Sequence, residues 1–377
     1  MIPQSFITEY KINIQKELAM DVKPDFERMR KAARLEEADR VPLAEILIDF
    51  SIQSQFLGRP VTPDDLASQV EFWSKAGYDY IPLTVGMMQP GKVTKESKIS
   101  KVIREVMLAD SADADKEESW NLELTSFIKT REDLEKFPWE VAAELDFDSF
   151  HQVADLLPAN MKVIAISGKI FTLTWMLMGF NHFALSLVMD EDLVADVFKK
   201  VAEIQFKGLE RILEMPHIAG VWVVDDLAFG NGPMISPQAF RDHVFPWYRE
   251  MSDRCHAKDR LFLMHSDGDL NELMEDIIKC GVDVLQPIDP SCLEIVEFKQ
   301  MYGDRVCMVG NVSNELLRSG TTAEVESRVK ELLTKCGPGG GYCLGSGNSV
   351  PDWAQFSNYM AMRDTTLKFG SYPIQID

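Results

Sequence analysis

The sequence has no Cys-x-x-Cys pair, no basic start followed by a long apolar run, and few cations for its size. Its six cysteines, Cys255, Cys280, Cys292, Cys307, Cys336 and Cys343, are scattered, which argues against a disulfide framework or a structural zinc knuckle and for reduced thiols. No segment approaches the ~18 uninterrupted apolar residues of a membrane helix, so a cytoplasmic protein with no membrane partner is expected. The balance of 39 Lys+Arg against 60 Asp+Glu gives a formal charge of −21, which opposes binding to nucleic acid or to an anionic membrane surface. Neither Gly-x-Gly-x-x-Gly nor Gly-x-x-x-x-Gly-Lys-Ser/Thr occurs, so both common nucleotide-phosphate cradles are missing. Histidine is scarce too, with six in 377 residues, and one of them ends the apolar run of "LFLMHSDGDL".

What is present is enough apolar residue, 46%, for a large core. Short apolar runs alternate with long amphipathic segments, as in βα units around a parallel sheet. Eight runs read as strands: 41–49, 78–86, 162–170, 219–227, 260–265, 282–288, 305–312 and 341–346. The segments between them, such as "TPDDLASQVEFWSKAG" and "TAEVESRVKELLTKCG", open on Thr, Asp or Pro and several close on Gly, as helices do. Eight such units predict a (β/α)8 TIM barrel with its chemistry at the strand C-terminal ends. A doubly wound open sheet is the runner-up. Residues 1–40 read as an N-terminal helical extension, 41–377 as the barrel, and the charged stretch 88–135 as a hairpin insertion after the second strand.

In a barrel the polar residues at strand ends converge on one mouth. They are Glu45 and Asp49 from the first strand, Asp225 and Asp226 from the fourth, and His265 and Asp267 from the fifth. Gln286 and Asp289 follow from the sixth, Asn311 from the seventh, and Ser346 and Asn348 from the eighth. Any one of them could instead cap a helix or satisfy a loop; six strands contributing together is harder to assign to capping. Phe171 and Trp175, in "FTLTWMLMGFNHF", are candidates for an apolar wall, although such residues are more often core.

The run "HSDGDLNELMEDIIKCGVDVLQ", then "VGNVSNELLRSGT" and "LGSGNSVPD", resembles the C-terminal half of the uroporphyrinogen decarboxylase superfamily, which includes the corrinoid- and coenzyme M-type methyltransferases. Weaker matches are "RMRKAARLEEADRVPLAE" and "SGKIFTLTWMLMG". The resemblance spans about residues 25 to 365 and implies one barrel with its site in the mouth. In true uroporphyrinogen decarboxylases an arginine-bearing N-terminal loop holds the substrate's carboxylates; the matching "ILIDFSIQSQFLGRP" has only Arg59. An acidic mouth without cations would repel a polycarboxylate.

In the zinc methyltransferases of the superfamily, His-x-Cys-Gly on the fifth strand and Gly-Cys-Gly on the eighth supply the metal ligands. Here the same positions read His265-Ser266-Asp267-Gly268 and Gly345-Ser346-Gly347, so Asp267 and Ser346 stand where both thiolates would be. Imidazole and carboxylate make a harder site than thiolates, suited to a departing oxygen rather than to a thiol acceptor. The same pair without metal could act as general acid and base. Cys343 lies three residues before Ser346 and so faces the other side of the strand, and the glycine run "GPGGGYCLGSG" reads as a turn.

The resemblance implies a cobalamin-dependent methyltransferase of the O-demethylation type. It would move a methyl group from a small methylated substrate, for instance a methoxylated aromatic, to a corrinoid on a separate protein, since the chain has no Asp-x-His-x-x-Gly stretch of its own. His265, Asp267 and Asp226 are the expected catalytic residues. His265, Asp267 and Asp225 are the expected metal ligands, with zinc the metal. Glu45, Asp49, Phe171, Trp175, Asn311, Ser346 and Asn348 are the expected substrate contacts. Two alternatives stay open, a decarboxylase or lyase acting on a non-porphyrin acid and a non-catalytic corrinoid- or tetrapyrrole-binding protein; so does assembly into a homo-oligomer.

Overall fold

The computed structural model describes residues 22–85, 126–142 and 145–376. Seven of the apolar runs pair in parallel as β1 (Tyr80–Thr84), β2 (Lys162–Ile166), β3 (Ile218–Val224), β6 (Leu261–His265), β7 (Val284–Gln286), β8 (Cys307–Val309) and β9 (Tyr342–Cys343). Between β3 and β6 a small antiparallel hairpin, β4 (Ala228–Phe229) and β5 (Gly232–Pro233), stands past the end of β3. The spatial order β1-β2-β3-β6-β7-β8-β9 follows the chain without reversal, whereas a doubly wound sheet changes direction at a switch point.

The run at 41–49 occupies the eighth position but is not a regular strand. It meets the far edge through parallel bridges Leu43 to Leu344 and Ile48 to Val350, with Ala44 N–H donating to the Leu344 carbonyl at 2.9 Å and Leu344 N–H to that of Pro42 at 2.9 Å. Toward β1 the link is a side chain: the Tyr80 hydroxyl accepts from Glu45 N–H at 2.9 Å and donates to the Glu45 carbonyl at 2.8 Å. Pro42 and Pro82 flank this seam and carry no N–H to give across it. First and last segments thus meet, and the sheet curls into the expected barrel with one irregular stave.

Alternation along each strand sorts the core. Ile164, Trp222, Leu261, Leu263, Val284, Cys307, Val309 and Cys343 pack together inside, while Val163, Val221, Val223, Phe262, Met264 and Met308 join the outer layer between strands and helices. Phe26, just before the helix Glu27–Ala33, and Met29 and Ala32 within it belong to the inner cluster. Phe26 N–H donates to the carbonyl of Asn160, just ahead of β2, so this helix closes the N-terminal end of the barrel and leaves the C-terminal end as the mouth. The outer helices bury one stripe each. Glu191–Leu213 is capped by the Asp190 side chain, which accepts from Leu193 N–H, and it buries Leu193, Val194, Val197, Phe198 and Val201 at helical spacing.

The insertion expected at 88–135 lies for its larger part outside the described residues, which resume at 126 and carry the helix Arg131–Lys136. Among the described residues no single helix is long and apolar enough to cross a membrane. All six cysteines are free.

Candidate active site

The inward side of β6 carries Leu261, Leu263 and then His265, its last residue. The same parity on β3 runs Trp222, Val224 and, two beyond the strand register, Asp226. Both side chains therefore enter the mouth from adjacent strands, since Val224 pairs with His265 in register. Asp267 follows on the loop, its own N–H donating to Asp226 Oδ1 at 2.9 Å. Gly268 permits that loop to turn: its φ is +92° and a Cβ there would lie 2.5 Å from the Ala228 carbonyl oxygen of the hairpin.

Asp226, His265 and Asp267 each offer a ligand atom, and these atoms lie within 4.8 Å of one another. His265 Nε2 is 3.9 Å from Asp226 Oδ1 and 3.9 Å from Asp267 Oδ1. His265 Nδ1 meets Gln286 Oε1 at 2.5 Å. Asp267 Oδ2 accepts from the Asn348 side-chain amide, while its buried Oδ1 has no hydrogen-bond partner. Burial, and then the neighbouring charges of Asp226 and Asp289, raise the Asp267 carboxyl above the ordinary aspartate range against the pull of His265.

These residues fit a divalent cation. A buried carboxylate oxygen without a partner asks for one, the donor set is one imidazole nitrogen and two carboxylates, and three protein ligands leave a coordination position open for substrate, as catalytic zinc sites do.

The other candidates divide. Asp225 has the opposite parity from Asp226 and leaves the mouth: its carboxylate accepts from the N–H groups of Ile170, Phe171 and Thr172 at 2.6, 2.7 and 2.7 Å and from the Tyr248 hydroxyl at 2.6 Å. It anchors the start of the helix Phe171–Met178, and the carboxylate that gathers with His265 and Asp267 is that of Asp226. Asp49, expected as a substrate contact, caps the helix Phe50–Leu57, accepting from Ser51 N–H at 2.7 Å. Asn311 is tied into the wall, donating to the Ile288 carbonyl at 3.1 Å and accepting from Arg328 at 3.0 Å.

Glu45 and Ser346 are spent on each other. The fully buried carboxylate takes Ser346 N–H at 2.6 Å and Oγ–H at 2.7 Å, and burial pushes Glu45 up to about 8. Glu45 is not among the carboxylates that gather with His265. Phe171 is core, its ring 4.9 Å from that of Phe240 and 5.8 Å from that of Phe183. Trp175 begins an aromatic stripe toward the rim, with Phe180 at 5.7 Å and Phe229 of the hairpin 6.2 Å beyond that. The Phe229 carbonyl accepts Asp269 N–H beside the Asp267 loop, and the Trp175 indole N–H is buried with no partner.

Two residues take on more than sequence reasoning gave them. Gln286, one of the strand-end residues, holds His265. Lys169, three residues past β2, lies within the electrostatic reach of Asp225 and Asp226, and burial pulls its ammonium below the usual lysine range. The signal for Lys169 was a lysine inside the strand-end stretch "SGKIFT"; for Gln286 it was the parity it shares with Val284.

A family model described as uroporphyrinogen decarboxylase (URO-D) matches residues 123–369. Among solved structures, a methyltransferase from Methanosarcina mazei shares the fold, with a TM-score of 0.61, 15% sequence identity, and coverage of 91% of this chain and 98% of that one. Among curated proteins no sequence matches the chain.

Proposed function

The chain belongs to the uroporphyrinogen decarboxylase family, and from that premise we propose that it is a cytoplasmic methyltransferase: it takes a methyl group from a small methylated substrate, a methoxylated aromatic being the best fit, and passes it to a corrinoid carried by a separate protein. The observation that carries this reading is the convergence of His265 Nε2, Asp267 Oδ1 and Asp226 on one point of the mouth. Breaking a methyl–oxygen bond leaves an alkoxide or phenolate, and the mouth must stabilise it. His265, Asp267 and Asp226 would hold a divalent cation, zinc by its preference for this donor set, which supplies Lewis acidity toward the departing oxygen.

The chain's own residues do the rest. Asp267, raised by burial, retains a proton closer to neutral pH than an exposed aspartate does, and without a cation it can deliver that proton to the leaving oxygen. His265 Nε2, 3.9 Å away, is placed to exchange it. The stripe Trp175, Phe180 and Phe229 offers an aromatic ring a face to lie against, and the Trp175 N–H is a donor with nothing to bond. We assign the barrel from residue 41 onward as the catalytic unit and residues before it as an extension.

A decarboxylase of tetrapyrrole carboxylates is less well supported. Arg59, the arginine of the N-terminal loop, is paired with Glu71 and hydrogen-bonded to Ser68, so it does not offer itself to a substrate carboxylate. The test is to incubate the purified chain with free cob(I)alamin and a panel of methoxylated aromatics and follow methylcobalamin by absorbance. Methyl transfer supports the proposal; release of carbon dioxide from a carboxylated substrate without methyl transfer overturns it.

A further inference from the structure

Resting on the cation-holding reading above, we propose that Gln286 and Asn348 act together as a positioning bridge that fixes the histidine tautomer and the carboxylate orientation of the site before any ligand arrives. The chain of bonds is directional. The Asn348 main-chain carbonyl can only accept, and Gln286 Nε2 lies 2.5 Å from it, so the Gln286 amide nitrogen must face Asn348 and its oxygen must face His265. That oxygen, 2.5 Å from His265 Nδ1, can in turn only accept. The proton of the neutral imidazole is therefore on Nδ1, and Nε2 presents a bare lone pair to the mouth.

The other end of the bridge is the Asn348 side chain, whose amide donates to Asp267 Oδ2. This occupies the outer oxygen and turns Oδ1, buried and without a partner, toward His265 Nε2. One glutamine and one asparagine, 62 residues apart in sequence, thus tie together two ligands that stand two residues apart on β6 and its loop. Gln286 is fully buried and His265 nearly so, so water does not compete for the bond between them. Partners of this kind typically contribute 10–100-fold to the metal affinity of a site. Asn348, expected as a substrate contact, holds Asp267.

The experiment uses the full-length chain, stripped of metal, and two readouts. The six histidines are few enough for their side-chain nitrogens to be assigned by long-range proton–nitrogen correlation spectra, His265 being identified by its loss in His265→Ala. Wild type should show His265 protonated at Nδ1 with Nε2 bare. Gln286→Glu, which keeps an acceptor for Nδ1–H, should retain that tautomer, and Gln286→Met should lose it. Titration with cobalt(II), followed by its visible absorption, should then show binding weakened about 10–100-fold in Gln286→Met and in Asn348→Ala, and closer to wild type in Gln286→Glu.

Each failure has its own signature. An Nε2–H tautomer in wild type, or unchanged tautomer and cobalt affinity in Gln286→Met, overturns the bridge. The correct tautomer in a wild-type protein that binds no cobalt overturns the cation reading of the site and leaves the tautomer assignment standing. A merely structural Gln286 would lower the melting temperature of Gln286→Met and Gln286→Glu alike and move neither spectrum, which also counts against the proposal.

Discussion

At the residue scale, the pair Asp225-Asp226 shows how one step of strand parity separates structure from chemistry. Asp225 satisfies three backbone N–H groups and a phenol in the wall, so Asp225→Ala should destabilise the fold by about 2–4 kcal/mol, as removal of a buried multiply bonded acceptor does. Asp226→Ala, at a half-exposed mouth position, should leave the urea midpoint almost unchanged and reduce methyl transfer and zinc content instead. Equal unfolding midpoints for the two variants would contradict the assignment. The alternation of "VWVVDDL" carries this distinction, because Asp226 shares the side of Trp222 and Val224, although the sequence reading expected both aspartates at the mouth. What could not be read was the task of Gln286, since its partner Asn348 is remote in the chain and only the closed barrel brings them together.

Glu45 carries a pH signature. Its pKa in the fold is about 8 against 4.5 for the ordinary side chain, because burial outweighs its two bonds from Ser346. A carboxyl raised on folding binds its proton more tightly in the native state. Its contribution is therefore fully present below about pH 4.5 and falls as pH rises, until it is lost above about pH 8. Melting temperatures measured from acidic to mildly alkaline pH should decline over this window in wild type and decline less in Glu45→Gln. An identical profile in both would show that Glu45 ionises freely and is not sealed behind Ser346.

At the scale of elements, the eight apolar runs located the staves of the barrel, while the irregularity of 41–49, read as a strand like the others, emerges only in the fold. The consequence could not be read from the run alone: the ladder between 41–49 and β1 is replaced by a single phenol, Tyr80, bonded to both polar groups of the Glu45 backbone. Tyr80→Phe removes both bonds and leaves a buried N–H and C=O unpaired, so it should cost about 1–3 kcal/mol. Because the seam lies in the wall, cobalt affinity of the folded variant should match wild type. A neutral effect on the urea midpoint would mean that the seam closes without the hydroxyl. The short hairpin β4–β5 was not foreseen; its two-residue strands are below the length at which alternation gives a signal, although "FGNGP" holds the turn residues.

At the scale of the whole molecule, a net charge of −21 and a mouth furnished with Asp226, Asp267 and Asp289 disfavour anionic binding partners. On the proposed function, and because the sequence has no Asp-x-His-x-x-Gly stretch, the purified chain should carry no cobalamin and should turn over only when cob(I)alamin, free or protein-bound, is added. Copurification of tightly held cobalamin with unassisted turnover would contradict a separate carrier. The central claim, that His265 is there to react and not to brace its loop, is tested most directly by one preparation of His265→Ala on which both the melting temperature and methyl transfer to free cob(I)alamin are measured. The expected result is a melting temperature close to wild type with transfer abolished; a lowered melting temperature with near-normal transfer would instead make His265 a brace for its loop.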